Sequence, residues 1–394
     1  MVLFCFVIEM DICVLNPFFY PYPGGTEKVL LEIYRRMAKR HNITVISAAL
    51  KAKQKDSVEE IHGIKVIRLK TSYIDVPILP MPFPVTMGLR DAISRQKADL
   101  YHINNRHVYF GDTVRCIKRS GGKMALTLHD SIPKNIDPLT DNGGYIYDML
   151  WGRRLIEHSD VITGVSRNTI ATTVPSNLAG RCHVIYNGVD FNKYKPRAKR
   201  SAYKIMKKLG FDKDSVVVLN NGRLINQKGQ VYLIRAIAEL VKERNENIVL
   251  NIIGRGSLKE TFLYMARDLG ISGKMRICSG IPENEMPYYY NMSSVFVSAS
   301  LYEPASISIM EALASGIPVV ATKVGGVPET MKGRGLYVKP RSINGIKRGI
   351  VRVLDNPGEA RHMGLSGRLL MKKEHDWDQI SRKYEEVFES ALRK

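Results

Sequence analysis

With 394 residues, 44% of them apolar, and no apolar run long enough to cross a bilayer, the sequence excludes a disordered or membrane-spanning protein and asks for two globular domains of roughly 180 residues each. Its 59 basic and 38 acidic residues leave a net charge of +21, of which +6 lies up to Asp190 and +15 after it, so an anionic partner is expected. Five scattered cysteines without a C-x-x-C spacing exclude a disulfide framework and a zinc site, and fit a reducing, cytoplasmic compartment.

The opening MVLFCFVIE is apolar over only nine residues and lacks the basic flank of a signal peptide, so Met10 is expected to be the functional start. From there, short β-branched runs alternate with longer helical patterns, the signature of parallel α/β layers. DICVL, ITVIS, IKVIRL, DLYHI, MALTL, VITGV and HVIY read as the strands of the first half. Gly24 and Gly25 follow the first strand and precede a helical run over Thr26 to Arg40. Such a turn lets backbone approach a ligand at a helix start, although a plain tight turn would use the same glycines. The segment LPMPFPVTMG, with Ile78, Leu79, Met81 and Phe83, reads as a hydrophobic loop suited to an amphipathic acceptor or to Pro-rich surface packing. His129 closes the run KMALTL, at the C-terminal end of a parallel strand, where open α/β sheets bind ligands.

Between Asn187 and Lys204 the periodic pattern gives way to Gly, Asp, Pro and cations, and Lys193 to Lys208 holds eight Lys or Arg and no acid. This break predicts a first domain over 1–186, a second over 187–375 and a terminal helix over 376–394. SVVVLN, IVLNII, MRICS, VFVSAS, IPVVAT and GLYV read as the strands of the second half. Arg223 and Lys228, in NGRLINQKG, stand between a strand and a helix, where two cations can neutralise a diphosphate that departs with negative charge.

Further on, SASLYEPASISIMEALASGIPVVATKVGGVPE places Glu303 in a strand-to-helix turn and Glu311 in a helix read over Ala305 to Ala314, with seven residues between them. A helix start there offers unpaired amides to a phosphate, and small residues let the anion approach. Two carboxylates beside an anion site would repel the phosphate, so they should face hydroxyls attached to it. The implied ligand is a nucleotide sugar. Two Asp-x-Asp matches, Asp212 to Asp214 and Asp376 to Asp378, read as a loop and a helix cap, so no metal site is expected. The terminal WDQISRKYEEVFESALRK lines up Ile380, Tyr384, Val387, Phe388 and Ala391 on one helical face.

These motifs, in this order along nearly the whole chain (PYPGGTEKVL, VIYNGVD, NGRLINQKG, NIIGRGSLKE and the Glu303 to Glu311 segment with GGVPE), resemble those of the retaining glycosyltransferases of family 4. The resemblance implies a GT-B architecture, α/β with two Rossmann-like domains facing across a cleft and a C-terminal helix crossing back to the N-terminal one. It implies transfer of a sugar from a UDP- or GDP-sugar to a hydroxyl, with the leaving phosphate assisting the incoming hydroxyl on the same face and no cofactor required. It assigns Gly24 and Gly25 to the donor diphosphate, His129 to the vicinity of the sugar, and Arg223 and Lys228 to the phosphates. Glu303 would meet the sugar hydroxyls, Glu311 the ribose, the amides of Ser306 and Ile307 the distal phosphate, and Ile281 the base. One departure stands out: Pro304, Ala305 and Ser306 replace the family's usual Gly-Phe-Gly. The alternatives are another GT-B enzyme such as an epimerase, or a GT-B protein with lost activity that binds membranes or nucleic acid. The excess positive charge suits an anionic membrane on the inner face of the cell membrane. Nucleic acid is disfavoured, because no aromatic-basic strand or finger spacing occurs.

Overall fold

The computed structural model describes residues 9–22, 24–50, 54–74, 83–105, 113–130, 136, 141–142, 145 and 148–393. The opening eight residues and the segment with Ile78, Leu79 and Met81 lie outside the described residues, as does the Phe83 side chain. The chain folds into two compact units. The first is made of the described residues of Met1–Pro133, Pro138–Asn187 and Trp377–Lys394, and the second of those of Lys134–Asp137 and Gly188–Asp376.

The first unit is built on an eight-stranded sheet in the spatial order Cys182–Val184, Val161–Gly164, Lys123–Leu128, Leu100–Asn104, Asp11–Leu15, Asn42–Ala48, Ile64–Leu69 and Ser57–Ile61. All pairings are parallel except that of the edge strand Ser57–Ile61, which runs antiparallel to Ile64–Leu69. That strand escapes a reading of hydrophobic pattern because its first four residues are exposed, as befits an edge. A small antiparallel pair, Thr71–Ile74 with Phe83–Thr86, escapes it as well. The central strands are buried on both faces, and Cys13, among them, has its thiol pushed up to about 12 by burial.

The terminal helix Trp377–Leu392 packs on the helix Gly25–Met37 of this first unit. Its buried face comprises Trp377, Ile380, Ser381, Tyr384, Glu385, Phe388 and Ala391, while Val387 is only half-buried. Ion pairs flank it, Arg36 to Asp378 at 2.5 Å and Arg40 to Glu385 at 2.5 Å. Beneath it lies a fully buried polar chain: the Tyr34 hydroxyl meets His102 Nδ1, His102 Nε2 meets Thr127 Oγ1 at 2.6 Å, and Thr127 meets Thr163 at 2.5 Å. The His102 ring also lies 4.9 Å from that of Phe388.

The second unit is a six-stranded, wholly parallel sheet in the order Met275–Cys278, Ile248–Ile253, Val216–Asn221, Val295–Ser298, Val319–Thr322 and Leu336–Val338. Helices cover both faces, and two apolar clusters fill the layers between helix and sheet. The strand order turns back at Val216–Asn221, which places the loops after it and after Val295–Ser298 side by side at the C-terminal edge.

Candidate active site

The loops at that edge are stitched together through glycines. The Gly222 amide donates to Ile253, Leu224 to Arg255, and Leu258 back to Leu224, at 2.8 to 3.1 Å. A Cβ on Gly254 would lie 2.0 Å from the Gly222 oxygen, and one on Gly256 2.3 Å from that of Leu224, so only glycine permits this approach. The chain then runs through a short 3-10 turn, Asn226–Lys228, into the helix Gln230–Glu243 by way of Gly229, whose φ of +60° is left-handed. Arg223 is exposed at the lip of this turn, with its carbonyl accepting from Gln230 Nε2 at 2.8 Å.

Lys228 and Glu303 meet here. The Lys228 ammonium lies 2.6 Å from Glu303 Oε2, with the side chains 17% and 7% exposed, and the Ser300 hydroxyl donates to the same oxygen at 3.1 Å. Their turns are tied by backbone, Leu301 N donating to Gln227 O at 2.8 Å. On the other side, the Gly326 amide donates to the Glu303 carbonyl at 2.9 Å. Gly325, at φ +50°, fits because a Cβ there would lie 2.3 Å from the Glu303 oxygen. The GGVPE segment thus backs the Glu303 turn.

The following helix spans Ile307–Ala314, two residues shorter than the Ala305 to Ala314 read from the sequence. Ser306 is the reason: it takes the N-cap position, and its hydroxyl accepts from the Ile309 amide at 3.4 Å. Pro304 and Ala305 form a bend before the cap. The expected Ser306 and Ile307 amides therefore stand at the cap and first turn of a helix whose side-chain cap is internal.

Glu311 is buried, and its Oε2 accepts from the Tyr290 hydroxyl at 2.8 Å, which in turn accepts from Asn221 Nδ2 at 3.0 Å. Tyr194 stacks edge-on against Tyr290 with ring centroids 5.6 Å apart. Burial, and then the Glu311 carboxylate, push both phenols well above their ordinary range, so they act as hydroxyl donors. Ile281 is half-buried against the apolar cluster of this unit. Arg223, Lys228, Ile281, Glu303, Ser306, Ile307 and Glu311 thus all belong to the second unit.

His129, Gly24 and Gly25 belong to the first. His129 follows its strand, and Nε2 donates to Asn104 Oδ1 at 3.2 Å. Burial pushes its imidazole down to about 4, against the pull of the Asp130 carboxylate, so it is neutral at pH 7. Gly24 caps the helix Gly25–Met37 in an extended conformation, and a Cβ on it would lie 1.9 Å from Glu27 Oε2. The buried Glu27 carboxylate therefore folds over this helix start, where a side chain of negative charge suits the helix dipole. Sequence reasoning missed Glu27, although an acid in a first helical turn is a recognised signal. It also missed Ser300, Tyr290 and Asn221, for which the pattern offers none. Of the two Asp-x-Asp matches, Asp378 pairs with Arg36 and Asp212 accepts from Asn247 at 2.8 Å.

Comparison with known proteins identifies the fold and the family. A sucrose-phosphate synthase from Thermosynechococcus elongatus superposes with a TM-score of 0.79 at 18% identity, covering 98% of this chain and 100% of its own. An Anabaena protein crystallised with UDP-glucose does so with a TM-score of 0.75 at 19% identity, covering 97% and 100%. The architecture is therefore GT-B. The model for glycosyl transferases group 1 matches residues 202–370, and that for glycosyltransferase family 4 matches residues 23–193. The GDP-mannose-dependent alpha-(1-6)-phosphatidylinositol monomannoside mannosyltransferase of Mycolicibacterium smegmatis is 28% identical over 369 residues, 89% of this chain and 91% of its own. The chain belongs to the retaining glycosyltransferases of family 4, and is an enzyme that moves a sugar from a nucleoside-diphosphate sugar to a hydroxyl acceptor. Among the described residues, no helix is long and apolar enough to cross a membrane.

Proposed function

We propose that the donor lies at the C-terminal edge of the second sheet, with its ribose on Glu311, its diphosphate on Arg223, Lys228 and the amides of Ser306 and Ile307, its sugar on Glu303 and its base beside Ile281. The observation that carries this reading is the convergence of Lys228, Ser300 and Glu303 on one set of turns, with Glu311 held by Tyr290 on the adjoining helix. The diphosphate competes with Glu303 for Lys228, so donor binding parts the ion pair and turns the Glu303 carboxylate to sugar hydroxyls. As the bond from the sugar to the phosphate breaks, the acceptor oxygen bonds to the same carbon and its proton passes to the departing phosphate. Arg223 and Lys228 stabilise the charge left on the diphosphate, in place of a metal ion.

Residues 1–186 form the acceptor domain, 187–375 the donor domain and 376–394 the terminal helix. The roles of Gly24 and Gly25 toward the donor diphosphate, and of the neutral His129 toward the sugar, rest on the family resemblance alone. The acceptor is a lipid-linked or glycan hydroxyl, and the enzyme works in the cytoplasm at the inner face of an anionic membrane. The relative from M. smegmatis, whose name specifies GDP-mannose and a phosphatidylinositol mannoside, supports testing that donor and acceptor first. A thermal-shift screen of UDP, GDP and ADP sugars should raise the melting temperature with one donor class. No response to any nucleotide sugar, together with no transfer from any of them, would overturn the assignment.

A further inference from the structure

The helix Pro357–Glu374 buries Met363, Gly364, Gly367, Leu370 and Met371 but leaves Leu365 54% and Leu369 66% exposed. The two leucines are one turn apart and share a face. Arg361 and Lys372 extend that face at either end, with Lys373 at its margin, all exposed. Apolar side chains flanked by cations are the pattern of a helix lying in a membrane interface. Glycines lock the rotation of this helix. A Cβ on Gly364 would lie 2.1 Å from the Gly316 oxygen, and one on Gly367 2.6 Å from the Leu313 side chain. With its glycine face pressed this closely onto the unit, the helix holds the leucines outward.

The surface continues into the basic segment after Asp190. Arg368 donates to the carbonyls of Phe191 at 3.1 Å and Tyr194 at 3.0 Å, and Gly316 lies against Pro196. Lys195 is exposed beside that contact. Arg200, Lys204 and Lys207 follow, exposed around Tyr203, which is itself 42% exposed. Tyrosine among cations is favoured where a bilayer meets water. Cations alone would suit a nucleic acid equally, but two outward leucines between them are explained by lipid.

We infer that this face of the second unit docks on an anionic lipid bilayer, with Leu365 and Leu369 entering the headgroup layer and Arg361, Lys372, Lys204 and Lys207 lying against lipid phosphates. The inference rests on the reading that an anionic membrane is the partner, and is independent of the donor site. It is tested by co-sedimentation of the full chain with vesicles of phosphatidylcholine alone and of phosphatidylcholine mixed with phosphatidylglycerol. Binding is expected only to the mixed vesicles, and should fall as salt rises. Leu365→Ser with Leu369→Ser, and separately Lys204→Gln with Lys207→Gln, should each weaken it by about tenfold or more. Both variants should keep the melting temperature and the donor-induced thermal shift, because none of these residues touches the donor site. Unchanged vesicle binding in both variants would overturn the inference. So would equal binding to neutral vesicles, or an RNA affinity stronger than vesicle binding that the lysine variant loses and the leucine variant keeps. A donor shift without vesicle binding would discard this surface alone, and vesicle binding without a donor shift would discard the donor site alone.

Discussion

Lys228 and Glu303 are partners at 2.6 Å, so a substitution at either changes two groups. Lys228→Ala removes one of the two cations proposed to stabilise the departing diphosphate, and should lower kcat by about a hundredfold, the value of one charge-assisted contact of about 3 kcal/mol in the transition state. Steady-state kinetics with the identified donor measures this, and an unchanged kcat would exclude Lys228 from the phosphate site. Glu311 is held in place by its Tyr290 and Asn221 chain, and its proposed ribose contact belongs to the ground state. Glu311→Gln should weaken donor binding more than it lowers kcat, and Tyr290→Phe should weaken it by about tenfold, through loss of one hydrogen bond to a charged group. Isothermal titration with the donor distinguishes the two effects. On the proposal that Arg223 and Lys228 take the place of a metal, EDTA should leave the rate nearly intact, and a strict requirement for Mg or Mn in the chemical step would contradict it.

At the scale of the element, the proposed donor edge depends on how the turns are stacked. Gly325→Ala places a methyl 2.3 Å from the Glu303 oxygen on a backbone with φ of +50°. It should displace the Glu303 turn, removing most activity while the sheet still forms, which activity and melting curves together would reveal. Ser306→Ala removes the cap of the helix Ile307–Ala314, and should cost about 1 kcal/mol in denaturant unfolding. A larger fall in donor affinity than in stability would show that the Ser306 position also meets the ligand.

Across the whole molecule, two buried imidazoles of the first unit tie folding to pH. His102 is pushed down to about 3 by burial and by nearby His129, and His129 to about 4. Their unfolded value is about 6.5, so below it the unfolded chain takes up protons that the folded chain refuses. Stability from these groups is complete above about pH 6.5 and is lost as pH falls toward 4, at roughly 1.4 kcal/mol per pH unit for each histidine. Urea unfolding at pH 7, 6 and 5 should show this decline, and His129→Gln should reduce its slope by about one proton. A slope unaltered by that substitution would mean that His129 is charged in the fold.

The strands were legible in the sequence because parallel strands buried on both faces must be continuous apolar runs, and VFVSAS or IVLNII can hardly be anything else. The exposed edge strand Ser57–Ile61 carried no such signal. Arg223, Lys228 and Glu303 stood out in the sequence as charged residues between a strand and a helix, and Glu311 as a carboxylate inside an otherwise apolar helix. Which partner it meets depends on contacts far apart in sequence. The ion pair of Lys228 with Glu303 spans 75 positions, and no local periodicity encodes it. The hydroxyl of Tyr290 on Glu311, the Glu27 carboxylate folded over Gly24, and the glycine contacts that turn Leu365 and Leu369 outward were likewise decided by packing. Composition and period select the layers, because burial acts on each element separately. The partners of each polar group follow only when the layers close, because a hydrogen bond needs its two atoms within about 3 Å.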